Sequence, residues 1–386
     1  MSKTLRVLML ADITGEGPDY HVGDEAMAQV AIERITSITP PQNVIMACAS
    51  PEGVPGTYGI RAIPFYSTTR TNRRRMLFRR PHSFAKSFLS MLYNLARCDV
   101  VFVCGGGNLT SVWPGVLESR LNLFKWALRM KKRLILASQT LGPFTPSHKT
   151  ECETVLSGAE WIGVRDKDFS EQQVSSKVHF AVDDAVFLRP AHSQETSEII
   201  RHHPSLIALS LRRFGGIDTD ELNTICATVA RIAQEQGART VFIPHHAPNK
   251  EGDIKIARQA QHIWPESAPL IVLDPIPMAT ALKALTSECD WVLTMRYHQL
   301  IFALSSGIPA IGLYVDEYTH AKLNGAFEQF GLEPRLLPAR SAASELAPLV
   351  EKVRSERNLF REAAGRVAHE ALEANLRPYR LLQGSL

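Results

Sequence analysis

Trp291-Val292-Leu293-Thr294-Met295-Arg296-Tyr297-His298 runs through an apolar stretch, 299–306, into Gly307-Ile308-Pro309-Ala310-Ile311-Gly312-Leu313-Tyr314. The run 291–295 is short and apolar, which reads as a buried strand. Residues 299–306 continue as a buried helix. Gly307 and Pro309 then end that helix, and a second apolar run, 310–314, begins. The apolar stretch 299–315 approaches the length of a membrane span, but the glycine–proline break inside it makes it a helix followed by a strand. Strand, helix and strand in succession form the repeating unit of a parallel sheet covered by helices.

The same rhythm extends in both directions. In the first half the expected strands are 5–10, 43–47, 100–104, 133–138 and 161–164, with helices at 25–35, 84–96 and 116–130. In the second half strands are expected at 206–211, 240–243, 270–273, 291–295 and 310–314. The helices there are 220–236, 250–263, 278–287, 299–306 and 320–330. Residues 189–205 are rich in His, Ser, Glu and Pro and read as a linker. The expected organisation is therefore an α/β chain of two Rossmann-like domains facing across a cleft: 1–188, then the linker 189–205, then 206–340, with a helical tail at 341–386. At 386 residues the chain is too long for one ordinary core.

Composition narrows the function classes. Apolar residues make up 45% and charged residues 21%, as in a folded globular protein. Between Arg70 and Lys86 lie Arg73, Arg74, Arg75, Arg79 and Arg80 and no acid, so this one run of seven cations exceeds the net charge of +4 for the whole chain. A local patch of this kind does not give the balance of a nucleic-acid-binding surface. The six cysteines (Cys48, Cys98, Cys104, Cys152, Cys226 and Cys289) are scattered, with no C-x-x-C pair. They suggest neither a disulfide framework nor a zinc site and favour a reducing, cytoplasmic setting. The apolar start is too short for a signal peptide.

Chemistry-bearing residues fall where strands should end. Gly23-Asp24-Glu25-Ala26 opens the first helix; Asp24 is expected to cap it, and either Asp24 or Glu25 is placed to orient or deprotonate a sugar hydroxyl. Gly105-Gly106-Gly107-Asn108 follows the strand 100–104. It reads either as a backbone cradle for an anion or sugar that leads into a helix, or as a tight turn with no ligand. It is not G-x-G-x-x-G, and no acid stands in the ribose position. Val164-Arg165-Asp166 reads as a pair that holds a loop together. Arg212, just past the strand 206–211, has the planar fork that grips carboxylate or phosphate, and Arg213 reads as a solvated neighbour. His245 and His246 are adjacent on extended chain and point opposite ways, which disfavours a shared metal; one of them is expected to contact a substrate. Arg296 and His298 stand at a strand-to-helix junction, where the helix amino end adds positive potential.

Taken together these motifs resemble the polysaccharide pyruvyl transferase family. The resemblance rests on Gly23-Asp24-Glu25-Ala26, Gly105-Gly106-Gly107-Asn108-Leu109, Gln139-x-Leu-Gly-Pro143, Val164-Arg165-Asp166, Asp183-Asp184-Ala185 and Ser210-Leu211-Arg212. Its strongest part is Arg296-x-His298, continued by Ile301-Phe302-Ala303, Gly307-x-Pro309, Tyr314 and Lys322. It spans about residues 5–335. His21 stands where asparagine is commoner, and the Tyr314–Lys322 spacing is longer than the usual Tyr-x-x-Lys.

The resemblance implies a glycosyltransferase-B-like fold, no cofactor or metal, and phosphoenolpyruvate as donor. The product would be a pyruvate ketal in exopolysaccharide, capsule or cell-wall polymer synthesis. It casts Arg212, Arg296 and His298 as the donor site, with Lys322 as a further candidate ligand. His298 is the candidate acid, and Asp24, Glu25, His245 and His246 are candidate bases. Because acceptors in such a family are often lipid-linked oligosaccharides, the run from Arg70 to Lys86 is expected either to dock on the anionic inner leaflet of the plasma membrane or to be a solvated loop. The competing enzymatic reading is a glycosyltransferase of the same two-domain type with a nucleotide-sugar donor, for which Glu317 is the available ribose-binding acid. A non-catalytic scaffold would have no need to retain Arg212, Arg296 and His298 together. The acceptor sugar and the oligomeric state, a homo-oligomer included, are not encoded in any motif.

Overall fold

The computed structural model describes residues 4–15, 20–65, 81–166, 174–213, 217–246 and 252–384. The chain forms two compact units. The first comprises residues 1–17, 27–184 and 371–386, and the second comprises 18–26 and 185–370.

The first unit holds a parallel sheet. Its strands are β1 (Val7–Leu10), β2 (Val44–Cys48), β3 (Arg61–Pro64), β4 (Val100–Val103), β5 (Gly106–Leu109), β6 (Arg133–Leu141), β7 (Trp161–Val164) and β8 (Val178–Phe180). Their order is β3-β2-β1-β4-β6-β7-β8, with β5 pairing onto β6. The central strands β1 and β4 are buried along their whole length, as expected for a sheet covered on both faces. One face packs Leu8, Leu10, Val101, Val103, Leu134 and Leu136 under the helices Pro81–Arg97 and Pro114–Arg129. The other face packs Val7, Met9, Phe102 and Ile135, and it also takes Tyr379 and Leu382 from the last helix, Leu372–Leu382.

The second unit has a six-stranded parallel sheet made of β9 (Leu206–Ser210), β10 (Arg239–Phe242), β11 (Ile271–Val272), β12 (Trp291–Thr294), β13 (Ala310–Tyr314) and β14 (Leu336–Pro338). The order is β11-β10-β9-β12-β13-β14. The opening stretch folds here as its sequence suggests. Trp291–Thr294 is fully buried. The helix Tyr297–Ser305 buries seven of its nine residues, which is what an almost wholly apolar helix requires. Gly307 ends it with φ +68°, and a side chain there would come within 2.9 Å of the Arg361 backbone. Both reasons demand glycine.

Several segments differ from the sequence reading. Residues 189–205 contain the helix Gln194–His202, with the capping box Ser193–Thr196 that its composition disguised. The expected tail 341–386 is divided: its helices Ala342–Ser355 and Arg357–Glu370 belong to the second unit and Leu372–Leu382 to the first. The run 70–80 lies outside the described residues, while Lys86 is exposed on the helix Pro81–Arg97. All six cysteines are buried thiols. Among the described residues no helix is long and apolar enough to cross a membrane.

Candidate functional site

The order of the second sheet reverses between β9 and β12, because the chain builds outward from β9 to β10 and β11 and then returns to lay β12 on the other side. Helices diverge beyond such a reversal, and ligands bind in the crevice at the carboxyl ends of the strands. Ser210 and Thr294 are register partners across it. Arg212 and Arg296 each stand two residues past that pair, so both arginines leave the sheet at one level.

Arg296 is the residue before the helix Tyr297–Ser305, in extended conformation, and its backbone N–H is held by Thr294 Oγ1 at 2.7 Å. Its guanidinium grips the buried Asp253 with two bonds, Nε to Oδ2 at 2.9 Å and Nη2 to Oδ1. Asp253 Oδ2 also accepts the His245 backbone N–H at 2.9 Å. Arg212 is half-buried, and its pKa falls to about 10, through burial first and the neighbouring Arg296 charge second; Asp253, Tyr318 and Asp316 oppose the shift. Two guanidinium groups thus share surroundings in which the buried carboxylate of Asp253 is already engaged. That arrangement favours a small, multiply charged anion.

His298 is the second residue of the same helix, and its ring lies edge-on to Tyr297, with centroids 5.1 Å apart at 89°. The ring rests against the backbone of Gly23, where a Cβ would fall 1.7 Å from His298 Nδ1. Gly23 arrives on a short segment that belongs to the second unit. There Val22 N–H donates to His245 O at 3.1 Å, and His21 forms an antiparallel bridge with His246, their rings 3.7 Å apart. Tyr20 Oη accepts the Ala279 N–H at 2.9 Å, and burial pushes its phenol well above the usual range.

His245 is buried and faces Gln299, with Nε2 and Oε1 2.8 Å apart. Gln299 Nε2 donates to Thr286 Oγ1 at 3.0 Å, and that hydroxyl donates to Leu282 O at 2.7 Å. Gln299 Oε1 is therefore the acceptor, and the proton of His245 sits on Nε2. Burial lowers the His245 pKa to about 3, with Arg296 and His298 adding to the effect against the bond from Gln299 and the charge of Asp253. The imidazole is neutral at any physiological pH.

The second unit brings together Arg212, His245, His246, Arg296 and His298. Lys322 joins them despite its longer spacing: its Nζ lies 5.6 Å from the Tyr297 ring centroid and 5.3 Å from that of Tyr318. Glu25 is buried and Asp24 half-buried in the same unit. Asp24 is not the cap expected of it, because the helix already begins at Val22 and the first-turn bond runs from Glu25 N–H to His21 O.

Gly105, Gly106, Gly107 and Asn108 lie in the first unit. Residues 106–109 form β5, and the helix expected to follow is Pro114–Arg129. A Cβ on Gly105 would meet Met27 Sδ and Ser138 Oγ, each at 2.8 Å, so packing alone accounts for that glycine. Asn108 donates to Asp12, which Arg120 holds at 2.6 Å. Arg165 pairs with Asp183, in keeping with a bracing role. Arg213 binds Thr219 Oγ1 at 2.8 Å on the surface, and Glu317 is exposed in the first turn of the helix Glu317–Gln329.

Asp253, Gln299 and Thr286 were absent from the sequence reading. Asp253 looked like an acid in a first helical turn, and Gln299 like part of an apolar helix. The available signal for Gln299 was its place as a polar residue inside that helix, since a buried amide needs partners. Among the described residues no three His, Cys, Asp or Glu side chains converge as a metal site would require.

Two doubly wound parallel sheets are the architecture of the glycosyltransferase-B class, and similar solved structures fall in it. The Staphylococcus aureus MnaA–UDP structure has a TM-score of 0.64 at 14% identity, covering 98% of each chain. The Anabaena HepE complex with UDP and glucose has 0.62 at 11%, covering 99% of this chain and 100% of the other. The Neisseria meningitidis UDP-GlcNAc 2-epimerase bound to UDP-GlcNAc has 0.60 at 12%, with the same coverage. These likenesses establish the fold. The family model for polysaccharide pyruvyl transferase matches residues 21–317, and the chain belongs to that family. No curated protein sequence matches it.

Proposed function

We propose that the protein transfers a pyruvyl group from phosphoenolpyruvate to two hydroxyls of a sugar, forming a pyruvate ketal in the synthesis of a surface polysaccharide. The observation that carries the reading is the placement of Arg212 and Arg296 at one level of the strand-order reversal, with His298 on the following helix turn. Phosphoenolpyruvate presents a carboxylate and a phosphate on a three-carbon frame, and two guanidinium groups suit that charge pattern. His298 delivers a proton to the methylene carbon, which becomes the methyl group, while a sugar hydroxyl attacks the adjacent carbon and gives up its proton to a base. A second hydroxyl on the sugar then displaces phosphate, its proton leaving to complete the ketal. The guanidinium pair stabilises the departing phosphate.

Asp24, Glu25 and His246 are the candidate bases, and His245 Nδ1 carries the lone pair of a fixed tautomer. No metal enters this scheme. A sugar or lipid-linked oligosaccharide serves as acceptor. The test is phosphate release from phosphoenolpyruvate in the presence of the native glycan or its precursor, with mass analysis for the gain of one pyruvyl group. The similar UDP-bound structures support a second reading, a nucleotide-sugar donor. Turnover of UDP-sugars with no phosphate release from phosphoenolpyruvate would select it.

A further inference from the structure

At the opposite end of the first sheet, by the amino ends of β1, β2 and β3, Arg6, Arg61 and Arg97 line one pocket with Gln42, Asn43, Tyr93 and Asn94. One carboxylate offsets this charge, Asp99, whose Oδ2 lies 3.5 Å from Arg6 Nε and also accepts the Arg6 backbone N–H at 3.0 Å. Arg61 and Arg97 are exposed, and Arg97 stands 5.2 Å over the Tyr93 ring. Three forks with one compensating acid leave positive charge in a concave, amide-lined space that suits a phosphate group.

The helix that carries Tyr93 and Arg97 supplies a second observation. Lys86, Leu89, Tyr93 and Arg97 fall within about 80° of one another at 100° per residue, on a single stripe. Leu89 is 63% exposed and Tyr93 59%, the two most exposed large apolar side chains among the described residues. An apolar pair flanked by cations, with an aromatic ring between them, is the pattern of a helix lying on a bilayer surface.

We infer that this pocket binds the phosphate of an anionic phospholipid headgroup while Leu89 and Tyr93 enter the interfacial layer of the membrane. The inference is independent of the proposed reaction.

Co-sedimentation of the full chain with phosphatidylcholine vesicles, and with mixed phosphatidylcholine–phosphatidylglycerol vesicles, tests it. Binding is expected only with the mixed vesicles. The double variant Arg61→Ser/Arg97→Ser should weaken it roughly 30-fold, about fivefold for each cation removed from the anionic surface. Leu89→Asp should weaken it comparably, and the control Arg231→Ser/Arg354→Ser should bind like wild type. Thermal melting confirms that each variant is folded. Unchanged binding by the Arg61/Arg97 variant, or an equal loss in the control, overturns the inference. Loss in the Arg61/Arg97 variant without loss in Leu89→Asp overturns the inference, because a surface held to the vesicle by charge alone, with no side chain in the interfacial layer, would behave that way.

Discussion

Asp253→Asn removes one charge and almost no volume. The native carboxylate accepts three N–H groups, two from the Arg296 guanidinium and one from the His245 backbone. An amide offers one acceptor oxygen, so at least one guanidinium bond is lost, along with the negative charge beside Arg212. Breaking a buried pair from one side costs about 3–5 kcal/mol. Arg296 keeps 18% side-chain exposure, and the amide oxygen still serves one partner, so the lower end, about 3 kcal/mol, is expected in urea unfolding. The guanidinium also loses its fixed orientation toward the anion. If Arg296 positions phosphoenolpyruvate, kcat/KM for phosphate release should fall about 100-fold, or roughly 2.7 kcal/mol of transition-state binding. A variant with kcat/KM within about threefold of wild type and an unchanged unfolding free energy would refute the reasoning, because Asp253 could not then be holding Arg296 in solution.

Other outcomes follow from the same geometry. Gly23→Ala should displace the His298 ring at a stability cost of about 1–3 kcal/mol while largely abolishing phosphate release; full activity would disprove the contact. His298→Ala should lower kcat by roughly 100- to 10,000-fold, as expected for loss of a general acid, and an active variant would remove the assignment. His245, with its pKa lowered from 6.5 to about 3, contributes stability that is complete above about pH 6.5 and is lost as pH falls toward 3, because the unfolded chain takes up the proton first. That loss is about 2 kcal/mol by about pH 5, and the His245 imidazole should show no NMR titration near pH 6.5. Gln299→Leu should release the His245 tautomer and strand Thr286, lowering the urea midpoint; an unchanged midpoint would show that the relay carries no stability.

The parallel architecture was legible because buried strands such as 100–104 and 291–295 are continuous apolar runs, and glycine or proline punctuates the helices between them. β3, β5, β8 and β14 were not, because Arg61–Pro64 and Val178–Phe180 carry polar or exposed residues, Gly106–Leu109 looks like a loop and Leu336–Pro338 is a three-residue run ending in proline. Arg212, Arg296 and His298 could be singled out because each follows a strand that ends in a predictable place. Their supports could not. Asp253 reaches Arg296 across 43 residues of sequence, and the contact depends on a strand order that no local pattern encodes. The meeting of Gly23 with His298 is hidden for the same reason, since 275 positions separate them.

The placement of residues 18–26 in the second unit has a consequence for dissecting the molecule. The unit borders fall at 17/18, 26/27, 184/185 and 370/371, so no single cut releases either unit whole. A fragment spanning 185–370 would carry both arginines and the imidazole but lack the glycine that backs the ring. Supplying a synthetic peptide of residues 18–26 in trans should restore that backing, which makes the segment a natural handle for split-protein reconstitution.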